Sequence, residues 1–299
     1  MMTSPITSDL NHIKPITSDL NHRKPRVLLG LTGSVASVKC RELFSLLSSL
    51  NYDVQIVATQ SALHFVALSE EYENNNTKKR FNEAISLYNS SSLSTQNKDE
   101  DKDKTQTQSI NKQQYDDSFK VISDKDEWKS YQNIGGGTRG LGDPVLHIEL
   151  RKWADVFIIA PLSANTLAKI ANGLCDNLLT SIARAWEFNN ESESETICPL
   201  KPILIAPAMN TAMWKHPLTK SHLKSLSFLG YTIIPPTQKI LACGDLGDGA
   251  LASVEEIVRC VAKSIVNHKI QQQQDESDEI SPELKEIEKI PPEERFTRC

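Results

Sequence analysis

An asparagine that could bind a ligand follows an apolar run in residues 201–214, KPILIAPAMNTAMW. The apolar part of this segment is typical of a buried strand, and Asn210 comes where the chain turns polar. In open α/β sheets ligands are held at the carboxyl ends of the strands, so Asn210 is a candidate binding residue. Asparagine is also a good helix N-cap in any protein, and from this segment alone capping is the better interpretation.

Small hydroxyl residues follow three other apolar runs. Residues 32–34 and 59–61 come directly after VLLGL and VQIVA, and residues 163–166 follow VFIIA after Pro161 and Leu162. Free backbone N–H groups and a hydroxyl at a helix N-terminus suit a phosphate monoester. The GxGxxG dinucleotide fingerprint is absent, and a plain tight turn explains Gly30 and Gly33 equally well. Because three such loops would lie along one edge of a parallel sheet, the sequence predicts one polar crevice there.

Two further residues carry titratable side chains of interest. His147 has apolar neighbours in DPVLHIEL, and from local sequence a partly buried histidine satisfied by a hydrogen bond is the better interpretation. Cys243 lies in a glycine-rich segment, 239–250, rather than on an apolar face, which favours an accessible thiol.

The elements that would position these residues are successive strand and helix patterns. Strands are predicted over 27–31, 54–58, 156–160 and 231–234 and at the start of 201–214. Helices are predicted after Ser34 and over 167–186, 223–229 and 253–266, and the one over 167–186 is expected to break into two pieces near Gly173. Such alternation is typical of an α/β fold with a parallel sheet.

Low-complexity blocks leave one foldable domain, residues 26–268. The direct repeat PITSDLNHIK and PITSDLNHRK has too few apolar positions to stack, so residues 1–25 are predicted to be a disordered arm. Polar segments at about 70–123 and 188–200 are predicted to be insertions in surface loops, and residues 269–299 a disordered tail.

Composition argues against several classes of partner. The net charge is -5 and no lysine-arginine cluster carries interleaved aromatics, so nucleic acid is not expected as a partner. The N-terminus has no apolar signal core and no segment approaches the ~20 apolar residues that span a bilayer, so we expect a soluble cytoplasmic protein without a membrane partner. The six cysteines lack CxxC spacing, which indicates neither a disulfide framework nor a metal site.

Five segments carry a family resemblance when they are taken together in order. They are GSVA (33–36), DPVLHIELRKWAD (143–155), APLSANTLAKIANGLCDNLLT (160–180), PAMNTAMW (207–214) and LACGDLGDGA (241–250). In these segments the chain closely resembles the phosphopantothenoylcysteine decarboxylase family of flavin-dependent cysteine decarboxylases. The resemblance covers about 26–69 and 124–266, and the ordered set is far more specific than any one motif.

The resemblance implies an α/β, Rossmann-like (flavodoxin-like) three-layer sandwich with a central parallel sheet. It implies FMN as cofactor and a homotrimer with active sites between subunits. The residues that it implies for FMN are Gly33, Ser34, Val35, Thr59, Ser61, Ser163, Ala164, Asn165, Thr166 and Ala208. Those that it implies for the substrate, 4'-phosphopantothenoylcysteine, are Asn210, Met213, Leu241, Ala242 and Lys152, and the implied catalytic residues are His147 and Cys243.

The implied reaction converts this substrate to 4'-phosphopantetheine in coenzyme A biosynthesis. Oxidation of the thiol-bearing carbon at the flavin gives a thioaldehyde, which accepts the electrons left by CO2 loss; the enethiol is then reduced again. In this scheme His147 is the base or orienter, Asn210 holds the carboxylate and amide, and Cys243 donates a proton. Lys152 departs from a family arginine, since lysine keeps the charge but loses the bidentate fork.

Two other functions remain open. One is a non-catalytic regulatory flavoprotein of the halotolerance-type phosphatase-inhibitor branch, although the acidic tail here is interrupted by lysine and arginine. The other is a flavoenzyme that decarboxylates a peptide's C-terminal cysteine or transfers a prenyl group. The cysteine in the ACGD segment disfavours the latter, because stopping at the enethiol needs no proton donor.

Overall fold

A central sheet of six parallel strands organises the computed structural model, which describes residues 23–69, 72, 119–131, 145–189, 197–240 and 246–288. The strands are β1 (Arg26–Leu31), β2 (Asp53–Ala58), β3 (Val121–Ile122), β4 (Val156–Leu162), β5 (Ile203–Pro207) and β6 (Thr232–Ile233). Their order is β3-β2-β1-β4-β5-β6, with every neighbouring pair parallel. This is the doubly wound Rossmann order, whose direction reverses between β1 and β4 and opens a crevice at their carboxyl ends.

Helices cover both faces of the sheet. They are α1 (Cys40–Ser49), α2 (Gln60–Ala67), α3 (Asp124–Tyr131), α4 (Leu146–Trp153), α5 (Ala164–Ala171), α6 (Leu178–Ala185), α7 (Thr211–Lys215), α8 (Pro217–Phe228) and α9 (Val254–Glu288), with a 3-10 helix at Val35–Lys39 before α1. One apolar core lies between the sheet and α1 and the first turns of α9. The second core lies between the sheet and α4, α5, α6 and α8. The predicted three-layer α/β sandwich is therefore confirmed.

The central strands form because their sequences are continuous apolar runs, as expected where both faces of a sheet are covered. Every residue of β4 is buried, and so is every residue of β5. Alternate side chains of β1 enter the two cores, Leu29 on one side and Leu28 on the other. The predicted strands over 27–31, 54–58 and 156–160 are thus confirmed, and β4 continues to Leu162.

The first predicted insertion ends earlier than its composition indicates. Strand β3 lies inside the segment 70–123 and pairs in parallel with β2. Phe119 packs edge-on against Phe44, with ring centroids 5.3 Å apart. The missed strand is too short to produce a hydrophobic period. Residues 73–118, at the centre of this insertion, lie outside the described residues.

The second insertion has ordered flanks on both sides of its central part. Phe188 and Pro199 form an isolated antiparallel bridge, while residues 190–196 lie outside the described part of the chain. The prediction of one domain over 26–268 with insertions otherwise stays a prediction.

The carboxyl-terminal third differs from prediction in two places. The glycine-rich segment predicted as a loop contains an antiparallel hairpin, β7 (Thr237–Ile240) and β8 (Leu246–Ala250). Helix α9 runs past the predicted end at 266 to Glu288, into the tail predicted to be disordered. The glutamine, lysine and glutamate residues of this stretch are good helix formers, and the helix continues through Pro282. Residues 1–22 and 289–299 lie outside the described residues. No helix in the part that the structure describes is long and apolar enough to cross a membrane.

Candidate active site

Thr32 joins the loops that follow β1 and β4 at the crevice. Its buried hydroxyl donates to the carbonyl oxygen of Pro161 at 2.8 Å and accepts from the backbone N–H of Ser163 at 2.7 Å. The Ser37 hydroxyl donates to the Thr32 carbonyl oxygen at 2.7 Å. The two loops are therefore held together by buried hydrogen bonds at the point where the strand order reverses.

Gly33 and Ser61 bring the β1 and β2 loops into contact. A Cβ atom at Gly33 would lie 2.5 Å from Ser61 Oγ and 2.8 Å from Ser61 Cβ, distances that non-bonded atoms do not adopt. The hydroxyls of Thr59 and Ser61 lie 3.3 Å apart. Only glycine at position 33 allows this approach, which leaves a small cradle of hydroxyl and N–H groups.

The loop after β5 completes the arrangement. The Ser34 hydroxyl donates to the Ala208 carbonyl oxygen at 3.2 Å, and the Ala208 N–H donates to the Leu162 carbonyl oxygen at 3.0 Å. We refer to residues 32–35, 59–61, 163–166 and 208–210 as the loop cluster. Hydrogen bonds thus join the polar loops that follow β1, β4 and β5 on one edge of the sheet, as predicted, while a ligand crevice at this edge stays a prediction.

Each of these loops leads into a helix with a side-chain N-cap. The side chains of Ser34, Thr59, Ser163 and Asn210 accept from the backbone N–H groups of Ala36, Ala62, Thr166 and Met213. Ala164, Asn165 and Thr166 form the first turn of α5, and Val35 begins the 3-10 helix with its side chain half exposed. Helix N-termini that converge on one edge of a sheet favour a bound anion.

Asn210 uses one end of its side chain for structure and leaves the other end available. Its Oδ1 accepts from the Met213 N–H at 2.8 Å, so the side chain itself is the cap of α7. Its amide nitrogen donates to no group in the described part of the chain, and the residue is exposed, as is Met213. We expected Asn210 to offer a ligand both a donor and an acceptor; within this fold the donor is the free group.

The β7–β8 hairpin docks on the turn that contains Asn210. The Met209 N–H donates to the Gly249 carbonyl oxygen at 2.9 Å, and a Cβ at Gly249 would lie 2.2 Å from the Met209 carbonyl oxygen. The predicted site residues Leu241, Ala242 and Cys243 lie outside the described residues, in the connection between the two strands. The hairpin strand β8 therefore lies against the asparagine turn through Gly249 and Met209.

His147 lies in the first turn of α4 and has a carboxylate partner. Its Nδ1 lies 2.8 Å from Glu127 Oε1 on α3, and the two side chains are 25% and 11% exposed. The partly buried, hydrogen-bonded histidine expected from local sequence is confirmed. Glu127 was not predicted as a site residue, because it lies in a charged stretch that is typical of a solvated helix. Within the described residues, no hydrogen bond joins His147 to the loop cluster.

Lys152 lies apart from the other predicted site residues. Its side chain is exposed at the end of α4 and pairs with Glu149 at 3.3 Å. The neighbouring Arg151 is the more buried cation; it forms an ion pair with Glu187 and donates to the Ala185 carbonyl oxygen at 3.3 Å. Lys201 lies close by and donates to the Ala154 carbonyl oxygen at 2.8 Å, and its burial lowers its pKa. These contacts stabilise the end of α4 and its connection to β4.

A cleft of about 520 Å³ lies away from the loop cluster, lined by residues of α6 and by Phe188, Ile197 and Tyr231. None of the predicted site residues lines it. The chemistry of the chain therefore points to the loop cluster rather than to this cleft.

The parallel sheet with its polar carboxyl edge defines a class, the α/β proteins that bind a phosphorylated ligand at a topological switch point. A family model described as Flavoprotein matches residues 15–266. The chain belongs to the Flavoprotein family.

Relatives within this family carry one recurring name. A protein of Arabidopsis thaliana named "Probable phosphopantothenoylcysteine decarboxylase" is 44% identical over 227 residues, which are 76% of this chain and 82% of the relative. A solved structure described as a cysteine-to-serine mutant of PPC decarboxylase complexed with pantothenoylaminoethenethiol is 41% identical, with a TM-score of 0.55, and the match covers 80% of this chain and 97% of the other. The structure titled "The FMN binding protein AtHal3" is also 41% identical, with a TM-score of 0.53 and coverage of 80% and 95%.

Proposed function

We propose that this protein is an FMN-dependent decarboxylase that converts 4'-phosphopantothenoylcysteine to 4'-phosphopantetheine in coenzyme A biosynthesis. The observation that carries the proposal is the loop cluster, in which hydrogen bonds join the ends of β1, β4 and β5, and Gly33 packs against Ser61 of the β2 loop. The relatives named for this activity, at the identities given above, support the same conclusion.

The loop cluster fits the phosphate monoester of FMN. The contact between Gly33 and Ser61 leaves no room for a side chain at position 33, so an anion can approach the loop backbone and the Thr59–Ser61 hydroxyl pair. The Ser34 hydroxyl donates to the Ala208 carbonyl oxygen and would have to turn to join them. Ser163 and residues 164–166 begin a helix on the other side of the crevice, and Ala208 closes it. When bound, FMN supplies a two-electron acceptor for the thiol-bearing carbon, a function that no amino-acid side chain offers.

The chain's own residues bind the substrate and move its protons. His147 takes the thiol proton as the thiol-bearing carbon is oxidised, and its imidazole is held by Glu127. The free amide nitrogen of Asn210 donates to the substrate carboxylate. Met213, exposed beside it, together with Leu241 and Ala242, contacts the rest of the substrate. Lys152 keeps only a supporting role in the proposal, because its side chain pairs with Glu149 at the end of α4, apart from the loop cluster.

Cys243 completes the proposed reaction as a proton donor. After CO2 leaves, the Cys243 thiol would deliver a proton to the carbon that lost the carboxylate, and the two electrons held by the reduced cofactor would return to the thiol-bearing carbon, which together give the saturated product. The support for this role is the docking of the β7–β8 hairpin on the turn of Asn210, since Cys243 lies between the hairpin strands in sequence.

We further propose a cytoplasmic homotrimer with active sites between subunits. The support is that His147 makes its hydrogen bond to Glu127, outside the loop cluster, in the described part of one chain. In such an assembly, a site between two subunits would bring a catalytic histidine and a loop cluster together. Analytical ultracentrifugation of the purified protein tests the assembly, and a monomer that turns over substrate would contradict it.

The activity is tested by purifying the protein, recording its flavin spectrum and measuring CO2 release from 4'-phosphopantothenoylcysteine. We expect a yellow protein that forms one CO2 and one 4'-phosphopantetheine per turnover. A yellow protein without turnover would overturn the decarboxylase function and favour the regulatory, phosphatase-inhibiting alternative. Release of CO2 with only the enethiol as product would instead favour the enzymes that stop at that stage.

A further inference from the structure

We propose that Glu127 is a positioning residue that holds His147 in the tautomer with the proton on Nδ1 and the lone pair on Nε2. The inference rests on the proposed function, in which His147 takes a proton from the substrate. The observation that carries it is the 2.8 Å contact between Glu127 Oε1 and His147 Nδ1 across two helices.

The chemistry of the pair determines the tautomer. An ionised carboxylate only accepts hydrogen bonds, so the Nδ1 that faces it must carry the hydrogen. The opposite nitrogen, Nε2, then carries the lone pair and is the atom that receives the thiol proton. Once that proton has arrived, the imidazolium lies next to a carboxylate, which stabilises it in the same way as the buried aspartate of a Ser-His-Asp triad.

The position of Glu127 is held by contacts at the start of α3. Asp124 Oδ1 accepts from the Leu178 N–H at 2.8 Å, which joins the N-termini of α3 and α6. Asp126 Oδ2 accepts from the Ser123 N–H at 2.9 Å and from the Ser123 hydroxyl at 3.0 Å. Although partial burial acts in the opposite direction, these hydrogen bonds keep the pKa of Asp126 below its ordinary value, so it stays ionised as a cap.

The strand before α3 gives this arrangement a further anchor. β3 pairs with β2, and β2 ends at the loop that carries Thr59 and Ser61. Helix α3, which carries Glu127, is therefore anchored through β3 to the same sheet that holds the loop cluster. This is what a positioning group requires, because a carboxylate on a mobile segment could not select one imidazole tautomer.

The primary test is the tautomer itself, which does not depend on turnover. The 15N chemical shifts of His147 in the flavin-loaded protein, assigned with a His147→Asn variant, should report a protonated Nδ1 and an unprotonated Nε2 above the pH at which the ring is charged. Glu127→Gln, which keeps the size of the side chain but also offers a donor, should increase the population with the proton on Nε2. The same shifts in the wild type and in Glu127→Gln would overturn the proposal.

The second test separates positioning from folding. In Glu127→Gln the rate of flavin reduction by substrate should fall at least roughly 10- to 100-fold, the range for carboxylate partners of metal-bound histidines, and no more than the roughly 10⁴-fold loss seen when the aspartate of a Ser-His-Asp triad is replaced. Flavin content and KM should stay near their wild-type values. The matched control is Glu255→Gln, the same chemical change in the first turn of α9, which should leave the rate unchanged.

The outcomes distinguish this inference from the proposed function. A wild-type protein without turnover would contradict the proposed function, while the 15N shifts would still decide the tautomer. An active wild type whose Glu127→Gln variant reduces flavin at the full rate would overturn the positioning role alone. If Glu127→Gln loses its flavin or does not fold, Glu127→Asp becomes the test variant. Its shorter carboxylate cannot contact Nδ1 of His147, so a wild-type rate of flavin reduction in Glu127→Asp would likewise overturn the positioning role.

Discussion

At the scale of single residues, the proposed function gives the side chain of Asn210 a ligand-binding role beside its structural one. Its Oδ1 is the N-cap of α7, and its amide nitrogen is left for a ligand. The sequence alone favoured capping, and that interpretation is correct for one of the two polar atoms. Which atom remains available depends on the orientation of the amide, and that orientation is set by the helix rather than by any local motif.

Replacing Asn210 with aspartate separates the two roles. Aspartate caps helices as well as asparagine does, so the free energy of unfolding should change by no more than about 0.5 kcal/mol. The donor is lost, and a carboxylate then faces the substrate carboxylate. We expect kcat/KM to fall at least about 10- to 100-fold, the value of a hydrogen bond to a charged group. Urea unfolding and steady-state kinetics on the same preparation measure both quantities, and unchanged kinetics would remove Asn210 from substrate binding.

Gly33 provides a second residue-scale prediction. In Gly33→Ala the new Cβ must displace Ser61, so we expect a loss of about 1–3 kcal/mol in unfolding free energy and a protein that loses flavin on desalting. Gly33→Ala combined with Ser61→Gly should recover most of the stability. If the single variant kept its flavin and its stability, the close approach of the β1 and β2 loops would not be part of the cofactor site.

At the scale of elements, the strands with continuous apolar runs were predictable, as was the short β6 within the predicted strand 231–234, whereas β3 and the glycine-containing hairpin were not. β1, β2 and β4 fill the sheet because every residue in their runs can be buried on one face or the other. β3 has two residues in a polar segment, and the hairpin β7–β8 has glycines where strands usually have branched residues. Both missed elements form because of tertiary pairing that no local pattern records.

The candidate site also has residues that the sequence predicts and residues that it does not. The hydroxyl loops were predictable because each follows a strand that the sequence makes obvious. Glu127 was not, because its partner lies in a different helix and the polar segment 132–144 separates them. Cys243 stays a prediction, since its position is outside the described residues.

The hairpin gives a prediction at the scale of elements. In Gly249→Ala the added carbon would lie 2.2 Å from a backbone oxygen of Met209, which cannot move as a flexible side chain would. We expect the hairpin to be displaced from the Asn210 turn and product formation to fall roughly 100-fold, the cost of about 1 Å of misplacement. Flavin content should change little, because the hairpin is not part of the cradle around Gly33.

A surface change in the same region is the control for the hairpin variant. Lys215→Ala removes an exposed ion pair with Asp248, measured at 3.3 Å, which is worth no more than about 1 kcal/mol. Its turnover should equal that of the wild type. Equal activities of Gly249→Ala and Lys215→Ala would show that docking of the hairpin does not matter for the reaction.

At the scale of the whole molecule, the two cores determine stability, and Tyr231 in the second core makes that stability sensitive to alkali. Burial raises the pKa of Tyr231, so the folded state keeps the phenol proton that the unfolded chain releases above about pH 10. Because the folded pKa lies above the unfolded one, this part of the stability is fully present below the unfolded pKa and is lost progressively as pH rises from there through the folded pKa.

Tyr231→Phe should remove this part of the alkaline loss. The difference in unfolding free energy between about pH 8 and about pH 11 should be smaller in the variant than in the wild type, as measured by urea denaturation. Lys201, whose pKa is lowered by burial, acts in the opposite direction in both proteins and cancels in the comparison. An equal alkaline loss in the two proteins would contradict the buried state of the Tyr231 hydroxyl.

The central claim is that the loop cluster, His147 and the hairpin together perform a flavin-dependent decarboxylation. The most direct measurement is a single-turnover mixing experiment with flavin-loaded protein and 4'-phosphopantothenoylcysteine, in which flavin absorbance and CO2 are followed together. We predict that the absorbance falls as the substrate is oxidised and returns as 4'-phosphopantetheine forms, with one CO2 per site. A flavin that stays oxidised throughout, with no CO2 released, would contradict this account.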